Sequence, residues 1–579
     1  MKLTFNERTP VIRPWTVRAH RVIRSPDELL TIRPALRRSL CKELDVAALS
    51  SRICPVIFED GSAGIFVLPD YCHDDQTLAL LELLQAKGFR LNEPCLFVLP
   101  PTLMIAIDRI ATASLSDVVS FRGSVSQQSA LSAAFNDLIV WGLAHGASDI
   151  HLNVQRARQQ SAVYFTINGR YVSPDRYKQI PTATLLEMLS VAWMNVQGGN
   201  GAVFDPMIEQ QGRLILNINE RQVMLRWASL ATDAGPSVCL RVLVSEQDQL
   251  TPDLHTLGYL HSQVAALHRA RAQEGGAVIL AGVVGSGKST TIATLMREIP
   301  SDRKVITLED PAEYLIPNAL QNTICRTLDE KDDASFDTKL KTIKRSAMND
   351  LLIGEIRDAA GGRAFMDLAG CGVNLYTTVH AGSALLIVDR LASSFIGVAR
   401  DLLSTPGILK LLVYQCLLAR LCLHCARDAS QVVESGQWIC VNGVMRDRTW
   451  FKRWLDMIQT YLDISTEGLR FRNENGCNKC LSAPISTLNG TLGRTVVAEM
   501  IEPLAEPLFL DGLKRHDGLG LYEWFHARRR TGFSDPDMHG KTAMQCAIYK
   551  MSKGLIDPRQ VESKFGSFEL ITQGNRPRV

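Results

Sequence analysis

The stretch GVVGSGKST has the residue types and the spacing of a phosphate-binding loop, G-x-x-x-x-G-K-[ST]. It follows the apolar segment Ala277–Leu280 and precedes the helical pattern TIATLM, which is the context that such a loop requires. Glycines let the backbone wrap phosphates, Lys288 would reach the β- and γ-phosphates, and Ser289 would hold Mg²⁺. A chance glycine-rich turn is the alternative. The predicted nucleotide-binding residues are Gly282, Val283, Val284, Gly285, Ser286, Gly287, Lys288, Ser289 and Thr290.

Carboxylates accompany two further strand-like segments. TLEDPAEY continues the apolar segment Lys304–Leu308 and brings Glu309 and Glu313 into one short loop, where either could orient or deprotonate a water molecule. Taken alone, a solvated acidic turn is the commoner explanation, because acids are mostly exposed. LLIGEIRD ends another apolar strand pattern, and Glu355 would then order the Mg²⁺ shell or a water molecule.

A histidine ends a fourth segment of this kind. LYTTVHAGSA has a buried-strand pattern with His380 at its end. A single histidine after an apolar strand is more often a structural residue with satisfied hydrogen bonds, although imidazole has many active roles. Following three other nucleotide-type segments, His380 becomes a candidate sensor of the γ-phosphate.

Two CxxC pairs could form a metal site. Cys422 and Cys425 lie in CLHC, and Cys477 and Cys480 lie in CNKC. Tetrahedral Zn²⁺ takes four thiolates, and each CxxC presents two of them from one tight turn. A redox-active dithiol is the alternative. The remaining cysteines of the 14 are expected to be small buried apolar residues.

Length and composition limit the class of protein. The chain has 579 residues, enough for about three to four domains. Its apolar fraction of 46% and charged fraction of 21% are typical of soluble globular proteins, and a net charge of +3 does not indicate nucleic acid binding. We expect no transmembrane helix, because polar residues and a proline interrupt the longest apolar segment, 402–423. Residues 1–30 lack the apolar core of a signal peptide, so the cysteines are expected in a reducing compartment.

The order of the segments predicts a mixed α/β fold. Residues 1–124 combine short strand patterns with a helical stretch, Asp75–Lys87. A helix over roughly 129–142 and alternating segments up to Val244 then favour a small α+β domain. From Gly275, a strand, a glycine-rich loop, a helix and a strand follow one another, as in an α/β nucleotide-binding core.

In this order, the four segments resemble the type II secretion and type IV pilus assembly ATPases, the PilB/GspE-like secretion ATPases. In that family the strand with the Mg²⁺-associated acid ends in Gly-Glu, as Gly354 and Glu355 do. The resemblance spans roughly residues 137–561. It implies a RecA-like P-loop ATPase core preceded by α+β N-terminal domains, with a zinc-binding tetracysteine insertion. The cofactors that it implies are ATP, Mg²⁺ and Zn²⁺.

The resemblance also implies roles for the acidic residues. Glu313 matches the second glutamate of the family's acidic box, which is the general base there, and Glu309 is the other acid of that box. Glu355 would order the Mg²⁺ shell and a water molecule, and His380 would sense the γ-phosphate.

Two arginines match residues that reach the nucleotide of a neighbouring subunit in the family. They are Arg226, in VMLRWASL, and Arg241, in SVCLRVL. A guanidinium fork can neutralise developing phosphoryl charge, whereas an exposed strand position is the alternative for either residue alone.

The domains implied by the resemblance are an N-terminal adaptor-like domain at 1–124, an N2 (PAS-like) domain at 129–247 and a RecA-like ATPase domain at 255–579. The last would include a zinc subdomain at about 420–495 and a helical C terminus.

The function implied is that of a homo-hexameric ATPase motor for assembly of a type IV pilus or a type II secretion pseudopilus, driven by movement between the N2 and RecA-like domains. The expected partners are an inner-membrane platform protein and, indirectly, a pilin or pseudopilin, and no nucleic acid is expected. The expected location is the cytoplasm, peripheral at the inner membrane. The alternatives are a pilus retraction or conjugation-type traffic ATPase, which the CxxC pairs and the long N-terminal region disfavour, and a nucleic-acid translocase.

Overall fold

The computed structural model describes most of the chain, in two units. Contacts divide the chain into Met1–Ile218 with Met224–Val242, and Asn219–Val223 with Leu243–Val579. The residues described are 20–24, 28, 29, 31–41, 43, 44, 46, 49, 50, 52–101, 103, 104, 107, 125–218, 221–244, 252–324, 333–434, 439–441, 444–481 and 485–569.

The first unit begins with a five-stranded sheet. Its elements are β1 (His20–Val22), β2 (Leu36–Ser39), β3 (Ile53–Phe58), β4 (Ala63–Val67), α1 (Asp75–Ala86) and β5 (Leu91–Val98). The strand order is β1-β5-β4-β3-β2. The helix α1 connects the parallel strands β4 and β5, and it starts where the Asp74 side chain accepts a hydrogen bond from the Gln76 amide.

A second sheet of the first unit is packed against two helices. Its elements are α2 (Val125–Ala144), β6 (Ala147–Asn153), β7 (Gln160–Ile167), β8 (Arg170–Val172), β9 (Ile180–Pro181), α3 (Thr182–Trp193), β10 (Gln210–Ile218), β11 (Arg221–Thr232) and β12 (Gly235–Val244). The strand order is β10-β11-β12-β6-β7-β8, and β9 pairs with β7. Alternate residues such as Ile150 and Phe165 are buried, and a Cβ on Gly142 of α2 would lie 2.9 Å from Ile150.

The second unit is built on a seven-stranded sheet with the order β15-β14-β16-β17-β13-β18-β21. Neighbouring strands from β15 to β18 are parallel, and β21 is antiparallel to β18. The strands are β13 (Ala277–Ala281), β14 (Val305–Glu309), β15 (Ala319–Thr323), β16 (Asp350–Ile353), β17 (Asn374–Val379), β18 (Leu409–Leu421) and β21 (Thr491–Ile501), with a separate pair, β19 (Ile439–Val441) and β20 (Val444–Arg446).

Helices cover the sheet of the second unit and form its C-terminal region. They are α4 (Leu254–Leu257), α5 (His261–Ala272), α6 (Lys288–Arg297), α7 (Asp333–Lys344), α8 (Ala359–Ala369), α9 (Leu386–Ala392), α10 (Arg400–Leu403), α11 (Ala429–Glu434), α12 (Arg448–Leu462), α13 (Pro507–Lys514), α14 (Gly518–Ala527), α15 (Ala543–Ser552) and α16 (Pro558–Phe565). Among the residues that the structure describes, no helix has the length and hydropathy to span a bilayer.

The central strands are largely apolar because both faces of the sheet are covered. In β13 every residue is buried, and successive side chains enter opposite cores. Ile279 packs with Phe365 and Leu375 on one face, whereas Leu280 packs with Leu295 on the other. The mixed α/β fold predicted from the sequence is thus confirmed. The domain boundaries at 124, 129, 247 and 255 stay predictions.

A buried ionic network ties together the starts of the strands β16, β17 and β18. The Asp350 side chain is 1% exposed and accepts hydrogen bonds from Arg303 Nε at 2.7 Å and Asn374 Nδ2 at 3.0 Å. Lys410 Nζ donates to Asn374 Oδ1 at 2.9 Å, and burial lowers the pKa of Lys410 to about 8. The hydrogen bonds within this network therefore offset the cost of burying its charged groups.

We expect Asp350→Ala to lower the free energy of unfolding by about 3 kcal/mol, because removing one partner leaves other buried polar groups unpaired. Urea denaturation followed by circular dichroism measures the change. The matched control is Asp367→Ala, whose side chain is 62% exposed and pairs with Lys344, so little change is expected. Equal effects of the two variants would contradict a structural role for the buried network.

Candidate active site and metal centre

Residues 282–287 connect β13 to α6 as a tight loop with one packed side and one open side. Gly282 has φ +151°, and a Cβ there would lie 2.4 Å from the carbonyl oxygen of Gln415 on β18, so no larger residue fits. A Cβ on Gly285, in contrast, would meet no atom within 4 Å. Val283 and Val284 are 51% and 60% exposed. The loop therefore forms a cradle that packs against β18 on one side and is exposed on the other.

The side chains of the loop add charge and hydrogen-bonding groups to this cradle. Lys288 Nζ donates to the carbonyl oxygens of Gly282, at 2.8 Å, and Val283, at 3.2 Å. Ser289 is half-buried in the first turn of α6. The Ser286 hydroxyl is buried with no hydrogen-bond partner in the described part of the chain. Together with the N-terminus of α6, these groups suit a phosphate anion.

His380 joins the loop to the acid that follows β16. The strands β13, β17 and β16 are parallel neighbours, so their carboxyl ends lie at the same edge of the sheet. His380 Nδ1 lies 3.2 Å from the Gly282 carbonyl oxygen, and its Nε2 lies 3.0 Å from Glu355 Oε1. The histidine side chain is 44% exposed and the glutamate side chain is 32% exposed. Three of the predicted segments thus meet at one accessible point.

The two glutamates of the acidic box differ in their surroundings. Glu309 Oε1 accepts hydrogen bonds from Thr307 Oγ1 at 2.6 Å and from Gln321 Nε2 at 3.1 Å. Burial raises the pKa of Glu309, although these two donors oppose the shift. Glu313 is half-buried and makes no hydrogen bond to a residue within the described ranges. Glu313 is therefore the acid with the less constrained carboxylate.

Further hydrogen bonds hold the acidic box beside the neighbouring segments. Arg357 Nη2 donates to Asp310 Oδ2 at 3.1 Å and so links the segment GEIRD to the segment EDPAEY. The hydroxyls of Tyr314 and Thr290 lie 2.8 Å apart, which links the box to the start of α6. Hydrogen bonds thus link the acidic box both to the segment GEIRD and to the start of α6.

The two predicted arginines lie on neighbouring strands of the first unit. Arg241, on β12, donates from Nε to Asp149 Oδ1 at 3.0 Å, and Asp149 is 9% exposed. Arg226 is half-buried on β11. Asp149 belongs to the stretch GASDIHL, so this stretch supplies the ion-pair partner of one arginine. A role of either arginine at a nucleotide stays a prediction.

The four cysteines of the CxxC pairs form one cluster, with all Sγ atoms within 4.8 Å of one another. Cys422 and Cys477 have Sγ atoms 3.8 Å apart, and the separation is 3.6 Å for Cys425 and Cys480 and 3.8 Å for Cys477 and Cys480. Four sulfurs around a tetrahedral Zn²⁺ at about 2.3 Å would be about 3.8 Å apart. The cluster therefore fits Zn²⁺ geometrically.

The surroundings of the cluster also suit thiolate ligands. Cys480 Sγ accepts hydrogen bonds from the amides of Cys477 and Gly490 at 3.3 Å and 3.2 Å. The backbone N–H of Lys479 lowers the pKa of Cys477 to about 7, whereas burial raises the pKa of Cys425. When bound, Zn²⁺ would supply the positive charge that favours four deprotonated thiols.

The segment between the two CxxC pairs has its own helices and strands. It contains α11, the pair β19–β20 and α12. Phe451 and Trp454 of α12 are buried against Phe471, which lies shortly before the second CxxC pair. The same apolar cluster includes Leu418 of β18 and Val497 of β21, so the cysteine cluster closes a segment that packs against the main sheet.

The family model described as "Type II/IV secretion system protein" matches residues 126–508, which is more than half of the chain. The chain belongs to this family. The match includes the phosphate-binding loop, Glu355, His380 and all four clustered cysteines.

Several curated relatives of this secretion family align with about half of the chain. One is the type II secretion system protein E of Klebsiella pneumoniae, 31% identical over 294 residues, covering 51% of this chain and 56% of the relative. Another is the type II secretion system protein HxcR of Pseudomonas aeruginosa, 30% identical, covering 53% of this chain and 61% of the relative. The aligned part thus spans less than two thirds of these relatives.

Solved structures of secretion ATPases are also similar in part. The ATPase DotB of Legionella pneumophila is 16% identical, with a TM-score of 0.46, covering 76% of this chain and 96% of that chain. The pilus retraction motor PilT with bound ADP is 17% identical, with a TM-score of 0.44, covering 75% of this chain and 97% of that chain.

Two side chains at the loop were not predicted as site residues. Gln415 Nε2 donates to the Ser286 carbonyl oxygen at 2.8 Å, although in the sequence Gln415 only interrupts an apolar segment. Arg494 Nη1 lies 3.4 Å from the Gly285 carbonyl oxygen. The motif GTLGR, which ends in Arg494, was a signal that could have drawn attention to this residue.

We expect protein purified without chelators to contain about one Zn per chain, because four thiolates at this spacing satisfy a tetrahedral ion. Elemental analysis by mass spectrometry measures the ratio. Cys480→Ser should lose most of the metal, whereas Cys371→Ser, which removes an exposed cysteine outside the cluster, should keep it. Metal-free wild-type protein would refute the assignment.

Proposed function

We propose that the chain is an ATP-driven motor that powers assembly of a type IV pilus or of a type II secretion pseudopilus. The observation that carries the proposal is the position of His380 between the Gly282 carbonyl oxygen and the Glu355 carboxylate. It connects a phosphate-binding loop to an acid suited to order the Mg²⁺ shell and a water molecule. Membership of the type II/IV secretion system family supports the class of machine.

In the proposed reaction, the loop amides and the Lys288 ammonium bind the β- and γ-phosphates. Ser289 would hold Mg²⁺, and Glu355 would order the Mg²⁺ shell and a water molecule; when bound, Mg²⁺ screens phosphate charge. Glu313 accepts the proton of the attacking water, because Glu309 already accepts two hydrogen bonds and its burial disfavours the charged form. Loss of the γ-phosphate would change the contacts of His380 and, through them, the position of Glu355.

The proposal includes a homo-hexamer in which Arg226 and Arg241 of one subunit approach the nucleotide of the next. In the free subunit, the Asp149 carboxylate holds the Arg241 guanidinium. Phosphoryl oxygens are strong competing acceptors for a guanidinium fork, so nucleotide could draw Arg241 from its partner. Binding energy would in this way be converted into movement between the N2 and RecA-like domains.

The proposed location is the cytoplasmic face of the inner membrane, with a membrane platform protein as the docking partner and a pilin or pseudopilin as the indirect cargo. The names of the curated relatives, such as type II secretion system protein E, support a secretion system as the machine. The cysteine cluster favours an assembly motor over a retraction motor, because retraction-type relatives usually lack such an element.

We expect Glu355→Gln to bind ATP with near-native affinity but to hydrolyse it about 100-fold more slowly, because a neutral amide cannot order the Mg²⁺ shell and the attacking water as a carboxylate does. Single-turnover assays with radiolabelled ATP separate binding from hydrolysis. Glu298→Gln, which changes an acid paired with Arg271, is the matched control and should keep its turnover. A Glu355→Gln variant with most of its turnover would remove this residue from the reaction.

Electron microscopy of host cells tests the cellular role. Cells in which Glu355→Gln replaces the native copy should be without pili, as should a deletion strain, if the protein is an assembly motor. Excess pili would contradict assembly and identify a retraction motor. Normal pili with exoproteins retained inside the cells would assign the motor to type II secretion.

A further inference from the structure

Gln415 lies beneath the phosphate-binding loop and contacts both of its ends. The residue is 0% exposed on β18. Its carbonyl oxygen approaches Gly282, where a Cβ would come within 2.4 Å, and its side-chain Nε2 donates to the Ser286 carbonyl oxygen at 2.8 Å. A buried amide is costly unless both of its ends are hydrogen-bonded, so its position in an apolar strand requires partners.

Tyr259 holds the other end of the Gln415 amide. Its hydroxyl donates to Gln415 Oε1 and lies 3.3 Å from Thr291 Oγ1 on α6. Tyr259 is 2% exposed, and burial raises its pKa, so the hydroxyl keeps its proton and remains a donor. With Oε1 accepting from the tyrosine, the Nε2 end of the amide faces the loop.

The hydrogen bond to Ser286 fixes the direction of the following amide. A trans peptide group is planar, with its C=O and N–H on opposite sides. Because the Ser286 carbonyl points at Gln415, the Gly287 N–H points away from β18. Gly287 has φ +84°, and a Cβ there would lie 3.3 Å from Gln415 Nε2, which makes a side chain unfavourable at this position.

We propose that Gln415 is a positioning residue, which turns the Ser286–Gly287 peptide so that the Gly287 N–H faces the phosphates of the nucleotide. Tyr259 acts through Gln415 by fixing which end of the amide faces the loop. The inference rests on the proposed nucleotide-binding function of the loop. Backbone N–H groups aimed into such a loop are the donors that phosphates use.

Gln415→Met tests the proposal, because methionine fills a similar volume but cannot donate a hydrogen bond. The peptide then loses its anchor, and we expect the Kd for ADP, measured by calorimetry on the full chain, to rise about 10-fold. The phosphate contact is made in the ground state and in the transition state alike. The KM for ATP should therefore rise by a similar factor while kcat changes little.

Lys410→Met is the matched control on the same strand. Lys410 is 5% exposed and donates to the Gln273 carbonyl oxygen and to Asn374 Oδ1, both at 2.9 Å, away from the loop. Both variants should lower the melting temperature, but Lys410→Met should keep the native Kd for ADP. An equal rise in Kd for both variants would overturn the proposal, because it would indicate general destabilisation.

Tyr259→Phe tests the dependence on the tyrosine hydroxyl. Alone it should raise the Kd for ADP by less than Gln415→Met does, and in the Gln415→Met background it should add nothing. A full additional effect in the double variant would contradict action through Gln415. If native protein fails to bind ADP, the proposed function fails; if native protein and Gln415→Met bind ADP equally, only this inference fails.

Discussion

The two contacts of His380, to Gly282 and to Glu355, are possible because three parallel strands end side by side. The strands β13, β17 and β16 are consecutive in the sheet, and each carries its functional residue just past its carboxyl end. Because parallel strands place these ends at one edge, segments far apart in the chain meet there. Hydrogen bonds between the acidic box, the segment GEIRD and α6 then fix the remaining groups around this point.

Residues on or directly after β18 belong to three features: the buried ionic network, the phosphate-binding loop and its contacts, and the cysteine cluster. Near its start, Lys410 belongs to the buried ionic network around Asp350, and further along Gln415 contacts the phosphate-binding loop. Immediately after its last residue comes Cys422, the first residue of the cysteine cluster. The buried network, the phosphate-binding loop and the cysteine cluster are thus all in contact with β18 or continuous with it.

Buried polar residues in the central sheet are tolerated because each has hydrogen-bond partners. Asp350, Gln415 and Glu499 are almost fully buried, and each has at least two hydrogen bonds that anchor a neighbouring segment. An apolar residue at such a position would avoid the desolvation cost but would lose the directional contact. These residues therefore exchange some stability for a defined geometry of the segments that they anchor.

The sequence alone determined the α/β class, the phosphate-binding loop, the strand-ending Glu355 and His380, and the four cysteines, because each depends on short spacing or on apolar periodicity. Tertiary structure decided that His380 contacts the loop and Glu355 at once, that Asp149 pairs with Arg241, and which cysteine sulfurs are neighbours. It also decided that Gln415 bonds to both Tyr259 and Ser286, although more than a hundred residues separate it from either. Such contacts depend on strand order and register to within an ångström, and these are set by packing of the whole sheet rather than by local spacing.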